Sequence, residues 1–307
     1  MADNLAPITL TRKVEDIHSG GFSMEEEKAL GFKDGELFKI PQALPELITL
    51  HKKYFCRNME LYKEKILQNN PEYVEIQKDV YYHTSTIVSE QIAYDASKGV
   101  IVIEKGAKIM PFSYLVGPLR IDEGATVNPH SYISNSYIGK HSKVGGEVGG
   151  STMEAYSNKS HYGGIFDSYI GSWVNLGGGT SNSNLKNTYG PVKMAGIETN
   201  ELFLGAIISD HVKTAINTSI YTGKIIGIGA HIYGTVTEDV PSFTNYINKD
   251  KMTTIPFDVI LKTAARMWGR RHETEFPEED KKVLSYAYTE TESERKERGV
   301  KEGKLTF

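Results

Sequence analysis

The chain has 307 residues, 39% of them hydrophobic and 24% charged, and a formal net charge of −4. That length bounds it at one large domain or two modest ones, and the mild acidity gives no reason to expect nucleic acid or an anionic membrane as partner. One cysteine, Cys56, excludes an intramolecular disulfide framework and fits a reducing cytoplasm; the N-terminus lacks the apolar core of a signal peptide, and no apolar run reaches the ~20 residues a spanning helix needs.

Residues 1–97 read as an α-rich extension. The first ~35 residues are polar, which predicts partial disorder. Between Pro41 and Asn69, Leu44, Leu47, Leu50, Phe55, Met59, Tyr62 and Ile66 recur at helical spacing, and Pro71 closes the segment. From Tyr73 to Gln91 the alternation YVEIQ and VYYHTSTIV predicts strands.

Residues 98–245 carry a six-residue period: Ile103, Ile109, Leu115, Ile121, Val127 and Ile133. After a five-residue step it resumes at Ile138 and Val144, again at Ile165, Ile170 and Leu176, and last at Ile208, Thr214, Ile220, Ile226 and Ile232. Units such as IEKGAK, IDEGAT and IGIGAH place a turn after each aliphatic residue. Six residues suit one short strand and one corner, and three units close a triangular coil with the aliphatic side chains inside. The fold class is therefore mainly β, a left-handed parallel β-helix. Gly145–Gly164 and Ser181–Phe203 break the period and read as loops leaving the coil. Residues 246–307 read as helices opened by Pro256 and Pro277, then a run of mixed charge from Glu290 to Lys304, and they would cap the open end of the coil.

The segment NKSHYGGIFDSYIGSWVNLGGGTSNSNLK, Asn158 to Lys186, resembles the acetyltransferase domain of the bifunctional N-acetylglucosamine-1-phosphate uridyltransferases. It resembles more closely a group of glucose-1-phosphate thymidylyltransferase-related proteins with the same β-helix. KVGGEV from Lys143, SDHVKTAINTSIYTG from Ser209, VPSFTNY from Val240 and the pair Arg270–Arg271 are similar to the same group. The resemblance covers Ile101 to about Tyr286. It implies an acyltransferase that uses acetyl-CoA as co-substrate, acts on an amino sugar phosphate or nucleotide-linked sugar, requires no metal and forms a homotrimer with sites between subunits. The Gly-rich phosphate loop of the relatives' nucleotide-binding domain has no counterpart here.

By that resemblance His161 is the general base, a role imidazole suits because it titrates near neutrality. The alternative is a loop histidine bonded for structure. Asn184 and Asn175 match acceptor-contacting asparagines; otherwise they are rungs of an asparagine ladder or Asx turns. Lys159, Lys186 and Lys193 are cations that could hold a sugar phosphate, or are solvated surface. Gly178, Ala215 and Asn217 are the nearest matches to contacts of the pantetheine arm, or are coil corners. The relatives' phosphate-binding arginine and lysine fall at Ser131 and Gly149, and an acceptor-contacting tyrosine at Gly164. These departures motivate a non-catalytic, ligand-binding scaffold as the second reading; a nucleotidyltransferase with a cryptic N-terminal domain is a third. His130, His141, His161, His211 and His231 lack the spacing of a β-helix zinc site, and Cys56 lies too far from the repeats to be a nucleophile.

Overall fold

A computed structural model describes residues 2–303 and 305; Met1, Lys304, Thr306 and Phe307, the last three at the end of the expected cap, lie outside the described residues. The centre is a parallel β-solenoid of about nine turns. Its longest ladder runs through Val80–His83, Ile101–Ile103, Tyr114–Ile121, Tyr132–Ile138, Thr152–Met153, Tyr169–Ile170, Ala206–Ile208 and Lys224–Ile226. Each strand pairs in parallel with the next coil, so backbone donors and acceptors are satisfied along the stack. The aliphatic residues of the period fill one continuous core from Val80 to Tyr246.

The period also runs through part of the segment expected to break it. Val148 and Met153 are core residues one five-residue step apart, and the next inward position is Lys159, paired in register with Val144. A lysine in an aliphatic slot disguised the repeat. Of the second expected break, Ser181–Asn182 still pairs in parallel with Ser219–Ile220, and the chain leaves the coil after it, carrying a small antiparallel hairpin of Lys193–Met194 with Ile197–Glu198.

The N-terminal residues are ordered, against expectation. Turns over residues 2–16 lead to helix α1, Met24–Ala29, whose N-cap Ser23 and third residue Glu26 form a reciprocal capping box. Leu5, Ile8, Ile17 and Phe22 are buried. Helix α2, Glu46–Lys65, then crosses the coils on their outer surface. Leu47 and Ile48 pack with Tyr169, Ile207 and Ile225, while Phe55, Met59 and Tyr62 pack with Tyr81, Val102 and Tyr137. His51 fixes the docking: its Nε2 donates to the Asn135 carbonyl at 3.0 Å and its Nδ1 accepts from Thr152 at 3.1 Å. Burial holds that ring neutral, pushing its pKa down to about 4.

Between α1 and the solenoid lies a buried ionic network. One corner carries Glu104, Asp122 and Glu154, with Asp210 farther along. Arg12 meets Asp210 at 2.5 Å and Glu154 at 3.3 Å. His18 meets Glu154 at 2.8 Å and Glu26 at 3.2 Å. Arg120 grips Glu26 through both terminal nitrogens at 3.1 Å and Glu104 through Nε at 3.0 Å. Tyr137 donates to Asp122 at 2.6 Å and Tyr169 to Glu154 at 2.7 Å. Such pairing makes buried charge tolerable, since an unpaired charge there would be costly.

At the far end, α3 spans Phe257–Trp268 and α4 spans Glu278–Glu290, starting after Pro256 and Pro277 as expected. Ile260, Ala264, Leu284 and Ala287 close over Ile228 and Phe243.

Candidate functional site

Three successive coils bring His161, Gly178, Ala215 and Asn217 to one corner. His161 is exposed there. A Cβ placed on Gly178 would lie 3.5 Å from the Cβ of His161, so the glycine leaves the imidazole's flank open. The Gly178 carbonyl accepts from the Asn217 amide at 2.7 Å, and Asn217 Oδ1 accepts from the Tyr162 hydroxyl at 3.0 Å. Gly179 has φ +78°, and a Cβ on it would sit 2.1 Å from Asn217 Oδ1; no larger residue fits this turn. Ile216, between Ala215 and Asn217, is 73% exposed, and Tyr162 is 69% exposed. The corner thus presents an exposed imidazole beside backbone that glycine leaves uncovered, with apolar surface exposed at Tyr162 and Ile216.

Lys159 shapes this corner from within. Its aliphatic stem occupies the core, and its ammonium donates to the carbonyls of Gly145 at 2.8 Å, His161 at 2.7 Å and Gly163 at 2.7 Å. Those three bonds use all its protons. Burial pushes its pKa down to about 8. The expectation that Lys159 offers its charge to a sugar phosphate is not met in this geometry: the side chain points inward because its position in the repeat does, and it braces the loop that carries His161.

The remaining predicted residues lie elsewhere. Asn175 sits on the preceding side of the prism and accepts from Asn158 Nδ2 at 2.8 Å, a rung of an asparagine ladder. Asn184 donates to Asp167 at 2.5 Å, and Asp167 faces Lys52 of α2 at 3.6 Å. Asp167 lies six residues beyond His161, and among the described residues no hydrogen bond joins Asn184 to His161. Lys186 bonds the Pro191 carbonyl, and Lys193 pairs with Glu198 across its hairpin, with both partners more than half exposed. Of the positions where the relatives differ, Ser131 is buried and bonds the Asn128 carbonyl, and a Cβ at Gly164 would lie 2.5 Å from the Phe166 ring.

Among the described residues one group, His18, Glu26 and Asp122, brings three metal-ligand-type atoms within 4.8 Å of one another. Both ring nitrogens of His18 already face carboxylates, which hold its pKa up to about 10 against the opposing effect of burial. An imidazolium has no lone pair to give a metal, so these residues do not fit one. The other histidines named above are scattered: Phe112 stacks on His130 and Tyr156 on His141, while burial pushes His211 down to about 3 and His231 to about 4.

Residues 2–72 form helices and turns with one isolated bridge, Ser19–Phe22, and no sheet among the described residues. Sequence reasoning also passed over one cluster. The outward column of one side runs Lys143, Asn158, Asn175, Lys213 in register, and the end of α3 folds over it with Arg270 and Arg271. Stepping the repeat from Lys143 by 15, 17 and 38 residues reaches those positions, an uneven interval that a fixed period does not reveal.

No protein-family model matches the chain. It is 36% identical over 143 residues to a bifunctional sugar-1-phosphate nucleotidylyltransferase/acetyltransferase of Sulfurisphaera tokodaii, covering 44% of this chain and 36% of that protein. It is 30% identical over 152 residues to the bifunctional protein GlmU of Acidithiobacillus ferrooxidans, covering 48% of this chain and 31% of the relative. Among solved structures it is similar to UDP-N-acetylglucosamine acyltransferase of Francisella novicida, at 14% identity and TM-score 0.36 over 72% of this chain and 94% of that one. It is also similar to AntD, an N-acyltransferase from Bacillus cereus in complex with dTDP and 3-hydroxybutyryl-CoA, at 15% identity and TM-score 0.27 over 64% of this chain and 90% of that one. At such TM-scores nothing further rests on these two structures. The chain thus spans between about a third and about half of the length of the curated relatives it matches, and is similar in sequence to bifunctional sugar nucleotidylyltransferase/acetyltransferases.

Proposed function

We propose that the protein is an acyl-CoA-dependent N-acyltransferase acting on an amino sugar phosphate or a nucleotide-linked amino sugar. The observation that carries this reading is the corner at which an exposed His161 stands beside Gly178, Ala215 and Asn217. The similarity to nucleotidylyltransferase/acetyltransferases supports it. In the reaction the sugar amine attacks the thioester carbonyl, a C–N bond forms, and the C–S bond breaks to release CoA. His161 accepts the proton the amine loses and can pass it to the departing thiolate. Lys159, bonded to the His161 carbonyl, holds the loop that positions the ring. Asn184, oriented by Asp167, binds acceptor.

Because Asn184 bonds Asp167 and not His161 within one chain, the complete site forms between subunits of a homotrimer, where the exposed Ile216 and Tyr162 would be covered. The helices and turns before Tyr73 leave nucleotidyl transfer unsupported by these residues. The test is isothermal titration with acetyl-CoA of the wild type and of His161→Ala, followed by turnover with amino sugar phosphates. Binding by both proteins and turnover by the wild type alone are expected. No binding at millimolar acetyl-CoA would sink the reading and leave the scaffold alternative.

A further inference from the structure

On the side of the prism that precedes the His161 corner, the end of α3 roofs a cavity of about 290 Å³. Its floor is the outward column Lys143, Asn158, Asn175 and Lys213, and Arg270 and Arg271 close it from above. No carboxylate lines it. Among the described residues Lys143, Arg270 and Arg271 have no carboxylate within 4.0 Å, although the chain is acidic overall and the buried Arg12 and Arg120 are both paired with carboxylates. Lys213 gives two bonds, to the Trp173 and His211 carbonyls, which leaves one proton of its ammonium free. Asn158 Nδ2 donates to Asn175 Oδ1, so the Asn175 amide N–H groups stay available on the same floor.

The roof is held in place. Tyr156 and Trp173 occupy left-handed corners with φ of 61° and 60°, a conformation bulky residues seldom adopt, and their rings stack at 4.5 Å with 4° between planes. Trp268 of α3 packs on Trp173, and His272 wedges between Trp268 and Tyr156 at 3.9 and 5.3 Å. The Nε2 of His272 is buried with no protein partner. These contacts fix the arginines over the cavity and do not leave them on a free tail. Four cations held around one concavity repel one another unless an anion sits among them, and adjacent guanidiniums match phosphoryl oxygens as two-pronged donors.

We propose that this cavity binds the pyrophosphate or paired phosphate groups of a nucleotide-type substrate, with Lys143, Lys213, Arg270 and Arg271 as the cations. Asn158 lies three residues before His161, about 10 Å at ~3.3 Å per residue, so an ester anchored here reaches the corner where acyl transfer is placed. The assignment moves the phosphate site away from Lys159, Lys186 and Lys193. The anion site stands by itself; only the question of which substrate brings the phosphates rests on the acyltransfer reading.

The experiment is titration of the full chain with inorganic pyrophosphate at low salt and at 0.2 M salt. The same titration is run on the double variant Arg270→Ala/Arg271→Ala, on Lys143→Ala and on His161→Ala. Saturable binding that weakens with salt is expected, with a loss of roughly tenfold or more, about 1.4 kcal/mol, in each cation variant and none in His161→Ala. Lys143 lies on the rigid coil, so its variant still reports if removing the arginines unseats α3. Displacement of pyrophosphate by CoA would assign the phosphates to the donor, and displacement by a nucleoside diphosphate sugar to the acceptor. No saturable pyrophosphate binding, or equal binding by the cation variants, overturns the site. Intact pyrophosphate binding without any acyl turnover would instead remove the acyltransfer reading and leave the anion site.

Discussion

On the corner beneath the N-terminal segment, Glu104, Asp122, Glu154 and Asp210 each meet a cation or a tyrosine hydroxyl, and the partners are buried with them. On the side beneath α3, Lys143, Arg270 and Arg271 face a cavity with no counter-charge. The same solenoid supports both, and the same kinds of residue serve in each. What differs is whether the protein completes the pairing itself. Charge that is fully matched holds the fold; charge left unmatched in an accessible hollow is available to something else. The His161 corner sits beside the second kind of surface.

Substitutions should separate the two surfaces. The largest effect is expected for Arg120→Ala, which strands Glu26 and Glu104 in the interior. A loss of about 3–5 kcal/mol in urea unfolding is predicted, enough to leave little folded protein. His161→Ala should do the reverse, lowering kcat by about 10²–10⁴ while unfolding at the wild-type urea midpoint. A parallel fall in stability would place the ring with the latched corner.

His18→Gln tests the network through pH. Its carboxylate neighbours hold His18 up to about 10 in the folded state, above the ordinary 6.5. A raised pKa contributes stability that is full below about pH 6.5 and fades as pH climbs through 10. The variant should therefore cost about 2–3 kcal/mol at pH 6, and the gap to wild type should close toward pH 10. The difference is the quantity to follow, because Lys159 and Lys213, pushed down to about 8 and about 7, bias absolute stability the other way over that range. A gap independent of pH would mean that His18 is neutral in the network.

Lys159→Met keeps the stem and removes three hydrogen bonds from the His161 loop. A loss of about 1–3 kcal/mol is expected, with kcat falling and acetyl-CoA affinity nearly kept. Wild-type turnover in this variant would show that the loop needs no brace. Lys193→Ala, whose ion pair is exposed, should change neither stability nor rate measurably.

Much of the coil was legible in the sequence, because a six-residue aliphatic period from Ile103 to Ile133 has few other physical explanations. It faded near Lys159 because a polar residue took an inward slot, which no hydrophobicity pattern anticipates. The covering of one side was written in an outward column, Val102, Arg120, Tyr137, Thr152, Tyr169, Ile207 and Ile225, too apolar for a solvated face. Five- and six-residue steps and an inserted loop scatter that column along the chain. Residues 1–35 read as disordered because Arg12, His18 and Glu26 find their partners far away, Thr11 and Asp210 being 199 residues apart. Of the site, His161, Gly178, Ala215 and Asn217, which resemblance singled out, share one corner. Resemblance could not show which way Lys159 points, since orientation follows from the local step of the coil.

The N-terminal segment has a consequence for how the molecule comes apart. Coils that touch only their neighbours behave as a one-dimensional array, in which an end can fray without the middle responding. Here Arg12 is tied to coils at Glu154 and Asp210, Glu26 to the coil of Arg120, and α2 to those of Asn135, Thr152 and Tyr169. A seam that stitches distant repeats makes each one's opening conditional on the others'. The array then melts as a single cooperative block, and its far end, where Leu10 joins α3 and α4 over Ile228 and Phe243, shares the same protection.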